Sequence, residues 1–288
     1  MPELIKPILL PDKLEQIGGD LLARFSSLIY GRTGIHVSPQ KKTLLSNRLR
    51  RRLRKTGIAS FGDYFNHLKK LPPSSPEWDA FLQEITTHET YLFRDESQWD
   101  WFRNCYLAEC AAEARSGKRR RALRIWSAAC STGDEATTVA CCIAACLPKF
   151  DDWKISILGT DIGIGALEQA KSGVFGERAM RLVPESYRRR FFTKARDAQI
   201  WQAAPTLTKM LAFRQHNLMD PLREGRFDVV FLKNVLIYFT PESKKTVIDD
   251  VRRTINPGGY LVAGATEGIS ELVRDFQRIH PWLYRTTS

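Results

Sequence analysis

The chain lacks any run of about eighteen apolar residues, and its first residues lack the apolar stretch of a secretion signal. Neither a membrane span nor export is therefore expected; the reading is a cytoplasmic protein without direct membrane insertion. Zinc-ligand spacing is also missing. Four of the six cysteines, Cys130, Cys141, Cys142 and Cys146, fall close together, but an adjacent pair followed by Cys146 matches no metal pattern. They are expected to pack as small apolar side chains, with no metal bound. Acid is scarce: 44 Lys and Arg stand against 32 Asp and Glu, a net charge of +12 over 288 residues. That excess calls for an acidic partner, and charge alone leaves open a nucleic acid, a membrane surface or an acidic protein.

What is present is most informative at Arg124-Ile-Trp-Ser-Ala-Ala-Cys-Ser-Thr-Gly-Asp-Glu135. Ile125 and Trp126 read as the end of a buried strand. Ser127 to Gly133 carry little side-chain bulk, so a ligand can come close to the backbone. The Ala/Cys-rich stretch from Ala136 to Leu147 reads as a helix. Strand, small-residue turn and helix make the crossover of a doubly wound nucleotide-binding sheet. The Gly-rich run and Lys-Ser/Thr ending of a phosphate loop are absent, and Glu135 would repel phosphate. The turn suits a cationic nucleotide ligand, of which S-adenosylmethionine is the common one. Asp161, at the end of a second strand, stands where an acid accepts hydrogen bonds from ribose hydroxyls, or caps the helix that follows. Glu135 can pair an ammonium group or sit exposed under the helix dipole. Asn217-Leu218, after the third strand, can take an adenine ring. Lys233-Asn-Val-Leu-Ile-Tyr-Phe239 follows the fourth strand, Phe227 to Leu232, at the carboxyl edge where open α/β sheets bind ligands. Tyr238 is either a core aromatic or a hydroxyl near the reactive end. Arg94, closing the run Thr86 to Arg94, either caps a helix or clamps a carboxylate bidentately.

Ahead of this sheet, residues 12–110 read as all-helical, with Leu21, Leu22, Phe25, Leu28 and Ile29 at helical spacing. Ser38-Pro39 and Ser75-Pro76 look like helix starts. Between them, Ser38 to Lys55 holds eight Lys and Arg and no acid. Leu45, Leu49 and Leu53 line one face of that helix, while Arg48, Arg51, Arg54 and Lys55 project from the other. With no acid on the helix to pair them, they are expected to form a docking surface for an acidic partner, against the plainer reading of a solvated face. Residues 111–121 read as a basic linker and 122–288 as the α/β domain. Within it, about 175–213 reads as a small inserted antiparallel β-subdomain.

Taken in order, these stretches resemble the chemotaxis receptor methyltransferases, the CheR-type protein-glutamate O-methyltransferases, from about Phe25 to the C-terminus. The marks are GI-x-V-x₄-K with RLRRRLR, TT-x-x-T-x-x-FR ending at Arg94, WSAACSTG-x-E, Thr160-Asp-Ile162, NVLIYF and PGGYL. The resemblance implies a helical N-terminal domain and an S-adenosylmethionine-dependent domain with a β-subdomain. It places His88, Thr90, Arg94, Ala129, Glu135, Asp161, Asn217, Leu218, Asn234 and Val235 at the cofactor. Arg94 and Tyr238 fall at the reaction centre. The implied partner is the cytoplasmic domain of a bacterial methyl-accepting chemoreceptor, the implied product S-adenosylhomocysteine. Several residues depart from the pattern. His88 stands for Asn and Lys233 for Arg; Gly-Ala-Thr-Glu267 replaces GHSE, and GDEATT replaces GEEPYS. Some members of the family bind a receptor's C-terminal pentapeptide through a Gly-containing loop, whereas Thr193 to Lys209 here contains no glycine, which implies a tether-independent enzyme. Two rivals remain, a non-catalytic cofactor-sensing adaptor and a nucleic-acid methyltransferase. The second lacks support from any Asn/Asp-Pro-Pro-Tyr/Phe motif, so no nucleic-acid partner is expected.

Overall fold

A computed structural model describes residues 16–196 and 199–287. The expected first residues of the helical domain, 12–15, lie outside that range, as do positions 197–198 of the Thr193–Lys209 stretch. The chain divides into two compact units between Thr87 and His88.

The first unit is helical: α1 (Gly19–Thr33), α2 (Lys42–Thr56), α3 (Phe61–Lys70) and α4 (Pro76–Ile85). Ser75 caps α4 by accepting the Glu77 N–H, whereas Ser38 makes no side-chain cap and Pro39 opens a short 3-10 turn before α2. Phe25, Leu49, Phe65 and Phe81 form the core, with Phe25 edge-on to Phe65 at 5.1 Å. Burying each such ring contributes about 2–3 kcal/mol.

The basic face of α2 differs from expectation. Its acids come from another helix. Arg51 pairs with Glu84 of α4, and Arg48 donates to the Ile85 carbonyl and, at 2.8 Å, to the Thr87 hydroxyl. Arg52 points inward, where its guanidinium meets both Glu77 oxygens at 3.1 and 2.6 Å and Tyr64 donates to the same carboxylate at 2.6 Å. Arg54 and Lys55 are exposed. Two of the four expected docking cations therefore work inside the unit.

The second unit opens with α5 (Glu96–Trp101) and α6 (Leu107–Arg115), joined by a single wide π-helical stretch, Phe102–Tyr106. Trp99, Phe102, Tyr106 and Leu107 are buried in the same apolar cluster as the sheet residues Val229 and Phe231. Trp99 stacks on Phe231 with centroids 5.4 Å apart. The boundary thus falls after Thr87 rather than after 110, because the apolar face of α5 and α6 belongs to the sheet.

Strands and helices then alternate: β1 (Ala122–Ala128), α7 (Asp134–Cys146), β2 (Lys154–Asp161), α8 (Ile164–Ser172). The insert follows, with β3 (Val174–Gly176), α9 (Glu177–Met180), α10 (Glu185–Phe191), β4 (Phe192–Lys194), β5 (Ile200–Ala203) and α11 (Pro205–Thr208). The chain closes with β6 (Leu211–Gln215), β7 (Phe227–Leu232), α12 (Pro241–Thr254), β8 (Ile255–Ala263), β9 (Phe276–His280) and β10 (Leu283–Thr286). The main sheet has seven strands in the order β6-β2-β1-β7-β8-β10-β9, and β3-β5-β4 form a separate antiparallel sheet. Strands β6, β2, β1, β7 and β8 run parallel and the β9–β10 hairpin antiparallel. The expected helical-plus-doubly-wound architecture with its antiparallel insert is what the structure shows. One correction applies: Leu211–Gln215 pairs with β2 in the main sheet, so the insert ends before it.

Cys141 and Cys142 are fully buried on α7, packed as small apolar side chains. Among the described residues no helix is long and apolar enough to cross a membrane. Strand order reverses between β1 and β7, and the carboxyl edge at that reversal is where such sheets bind ligands.

Candidate active site

The turn after β1 is held by backbone. Ala129 and Ser131 both adopt the left-handed region (φ 61° and 52°), a conformation that costs non-glycine residues free energy and persists only when the surroundings fix it. Here they do: the Cys130 N–H donates to the Thr160 carbonyl at 2.8 Å, and the Ser131 N–H donates to Asp161 Oδ2 at 2.8 Å. Gly133 completes the turn at φ 85°; a Cβ there would stand 2.8 Å from the Cβ of Ala170. Asp161 Oδ1 accepts the Gly163 N–H at 2.8 Å, and His88 Nδ1 stands 3.7 Å from the same oxygen. Asp161 thus fills the capping role that its position suggested. It fastens the turn and the start of α8, and each oxygen keeps a lone pair for a ribose hydroxyl.

Side chains build the other half. Glu135, second residue of α7, accepts from Ser127 Oγ at 2.7 Å and lies 3.6 Å from Lys233 Nζ. Burial pushes the Glu135 carboxyl above its ordinary value, and Lys233 opposes the shift. Lys233 is itself buried: its ammonium lies 3.2 Å from Asp95, 3.4 Å from the Arg94 carbonyl and 5.0 Å from the Trp99 ring centroid. One lysine thus links the end of β7, the acid of α7 and the Arg94–Asp95 turn. That turn is tight, with Phe93 and Asp95 both left-handed (φ 57° and 66°). It is pinned by Trp99 Nε1 on the Arg94 carbonyl at 2.6 Å and by the Phe93 N–H on Thr138 at 3.1 Å. The Arg94 guanidinium contacts the Glu89 carbonyl at 3.3 Å and the Tyr91 ring at 5.6 Å, a carbonyl and a ring rather than a carboxylate.

The remaining residues follow from topology. Asn217 and Leu218 lie beyond β6, where Asn217 Oδ1 accepts the Met219 N–H at 3.1 Å and Leu218 is buried. Asn234, Val235 and Tyr238 lie beyond β7, with Tyr238 ending a short helical turn, Leu236–Tyr238. Ala129, Glu135, Asp161, Asn217, Leu218, Asn234, Val235 and Tyr238 therefore share the carboxyl edge, and contacts through Lys233 and Asp161 tie Arg94 and His88 to it. Thr90 falls in the same segment, part-buried. Sequence reasoning left out Ser127, Ser131, Asp95 and Glu267. A charged residue directly after the apolar run Phe227–Leu232 was the available signal for the Lys233 network.

A small-residue turn on an open, mostly parallel sheet, with one acid at the end of β2 and another at the start of α7, is the arrangement of a nucleoside-binding α/β domain that suits a cationic ligand such as S-adenosylmethionine (SAM). The residues fit that ligand: the small side chains from Ser127 to Gly133, the carboxylate of Asp161 and the acid Glu135 suit an adenosine bearing cationic groups. The model described as CheR methyltransferase, SAM binding domain, matches residues 88–282, and the CheR methyltransferase all-alpha domain matches residues 20–86. The chain is 33% identical over 261 residues to the chemotaxis protein methyltransferase of Vibrio parahaemolyticus, covering 88% of this chain and 91% of that one. Over 254 residues it is 30% identical to the chemotaxis protein methyltransferase of Borreliella burgdorferi, covering 87% and 88% of the two chains. It is 33% identical over 253 residues to chemotaxis protein methyltransferase 2 of Pseudomonas aeruginosa, covering 85% and 86%. This chain belongs to the CheR methyltransferase family, and its chemistry is SAM-dependent methylation in chemotaxis.

Proposed function

We propose that the chain methylates glutamate carboxylates on the cytoplasmic helices of chemoreceptors, giving glutamyl methyl esters and S-adenosylhomocysteine. The observation that carries this reading is Arg94: a guanidinium on a strained turn that Lys233 and Trp99 hold beside the cofactor acid Glu135. Lys233 and Trp99 bind the Arg94 carbonyl, while its guanidinium meets a carbonyl and a ring, and a planar fork of donors so placed suits a carboxylate acceptor.

When bound, SAM supplies a methyl group on a cationic sulfur, and transfer to a carboxylate oxygen returns the bonding pair to that sulfur. A glutamate side chain with a pKa of about 4.3 is already ionised at neutral pH, so no general base is needed. The residues of the chain orient the reactants and exclude water. Glu135 opposes the cationic end of the donor, Asp161 holds its ribose, and His88, Thr90, Ala129, Asn217, Leu218, Asn234 and Val235 complete that pocket. Arg94 steadies the acceptor's oxygens and Tyr238 aims one of them. Arg54 and Lys55 steer acidic receptor helices towards the enzyme. The absence of glycine from Thr193 to Lys209 supports an enzyme that needs no receptor pentapeptide.

Incubation with radiolabelled SAM and receptor-bearing membranes tests the reading. Label released as methanol on base treatment identifies a carboxyl methyl ester; cofactor binding without transfer overturns it in favour of an adaptor. Titration with a receptor C-terminal peptide tests the tether, and micromolar binding would overturn independence from it.

A further inference from the structure

The chain leaves β7 through Asn234, held in the left-handed region at φ 57°, and then forms the turn Leu236–Tyr238. Asn234, Val235 and Tyr238 all ride on this short segment. Such a turn needs something beneath it to hold its N–H groups, because no strand or long helix does.

Glu267 lies there, only 1% exposed. Its Oε1 accepts the Val235 N–H at 3.2 Å, and the N–H groups of Asn234 and Ile237 also favour its charged form. Burial pushes this carboxyl upward, while those N–H groups and Lys244 hold it down. The segment around it is shaped for the approach. A Cβ on Gly264 would stand 2.8 Å from Glu267 Oε1 and 3.2 Å from the Asn234 nitrogen, so a glycine leaves the space that the carboxylate occupies. From α12, Lys244 donates to the Glu267 carbonyl at 2.7 Å and fixes the backbone behind it. Glu267 Oε2 has no hydrogen-bond partner among the described residues. A buried acid kept only to fill space would be a costly choice there, since an unsatisfied buried acceptor is destabilising, and more so when charged. Its charge serves the Val235 N–H bonded at the other oxygen and the neighbouring Asn234 and Ile237 N–H groups, as in an anion-binding nest whose anion belongs to the protein.

We propose that Glu267 is a positioning residue whose carboxylate gathers the Asn234, Val235 and Ile237 N–H groups and so sets the turn carrying Asn234 and Val235 to the cofactor and Tyr238 to the acceptor. The roles of those three side chains rest on the methyl-transfer reading; the gathering of the turn does not.

The test compares the full chain with Glu267→Gln by residue-resolved amide hydrogen exchange. A glutamine keeps one acceptor and loses the charge. The Asn234, Val235 and Ile237 amides should then exchange at least about tenfold faster (about 1.4 kcal/mol), while those of β7 and α12 keep their wild-type rates. If Glu267→Gln does not fold, Glu267→Asp, whose shorter side chain withdraws the charge, should give the same local pattern. Turn amides at wild-type rates, or exchange rising equally across the unit, would overturn the proposal. Receptor methylation supplies the second arm. At saturating SAM, where displacement of Asn234 and Val235 from the cofactor costs little, Glu267→Gln should lower turnover about tenfold in the wild-type background and add little on top of Tyr238→Phe, because what remains acts through the Tyr238 hydroxyl. Fully additive losses would also overturn it. A local exchange change in a protein that methylates no receptor would instead reject the methyl-transfer reading and leave the positioning role standing.

Discussion

The two ends of the candidate site are built from different materials. At the β1–β2 edge the turn is held by backbone N–H groups on a carboxylate and a carbonyl, through Asp161 and Thr160, and by the close approach at Gly133. At the β7 edge Glu267 accepts a backbone N–H in the same way, but an ion network is added: Lys233 between Asp95 and Glu135. A turn whose own N–H groups are bonded is fixed locally, whereas a network of paired side-chain charges changes when one member is substituted or neutralised. On the proposed reading the donor's adenosine would meet the backbone-bonded mould and the reacting end the network.

The largest expected effect falls at the reacting end. Arg94→Ala and Tyr238→Phe should each lower receptor methylation by about 10²–10³-fold, the scale of losing one donor aimed at a developing charge. S-adenosylhomocysteine binding, read by titration calorimetry, should change little for Tyr238→Phe. Near-full turnover in both variants would remove the reacting end from the comparison.

Asp161→Ala should come next and should act on both shape and binding. It removes charge-assisted bonds to Ser131 and Gly163, each contributing about 1.5–3 kcal/mol, so the melting temperature should drop by several degrees and S-adenosylhomocysteine affinity by about 10²-fold. Glu135→Gln gives the contrast. It takes one acid from the buried Lys233 but leaves Asp95 3.2 Å away, so affinity should drop about tenfold while the melting temperature falls less than in Asp161→Ala. Equal thermal losses in the two variants would erase the difference between mould and network.

A pH series sharpens the same point. The Glu135 carboxyl sits above the ordinary 4.5 through burial, with Lys233 and Ser127 pulling it down and Asp95 pushing it up. The ionised form is the one that pairs a ligand ammonium. Affinity for S-adenosylhomocysteine should therefore be full above that raised value and fall as pH drops through it. Lys233→Met removes the main downward pull, so the fall should begin at higher pH, while Lys233→Arg should restore the wild-type curve. Superimposable curves for wild type and Lys233→Met would show that the lysine does not govern Glu135.

The smallest effects belong to the first unit. Reversing Arg54 and Lys55 to Glu should slow receptor methylation a few-fold at low salt and leave little difference at high salt, where exposed charges are screened. Arg51→Glu should in addition cost up to about 1 kcal/mol of stability, because it breaks the pair with Glu84. An unchanged rate at low salt for the first pair would end the docking reading.

Much of the donor half was legible in the sequence because its signals are local. Strand, small residues and helix follow one another from Ile125 to Leu147, and Asp161 ends the next strand. What stayed hidden depends on distant partners. Glu267 acts on Val235 across 32 positions, and the acids that meet Arg51 and Arg52 sit on α4. Residues up to 110 read as helical, but nothing local says which surface α5 and α6 cover, and the covering surface moved the unit boundary to Thr87. The start of β6, Leu211 to Phe213, was taken into the insert because a short strand with mixed polarity looks alike at the edge of either sheet.

The π-helical stretch Phe102–Tyr106 has one more consequence. A turn wound wider than an α-helix holds about one residue more than the α path needs. The chain therefore carries slack at this point. Loss of a single residue from 102–106 would tighten the stretch to ordinary α-helix and leave α5 and α6 in their present orientation on the sheet. The same loss inside α7 would turn everything after it by about 100°. Of the two helical segments flanking β1, only the one before it can absorb a change in length.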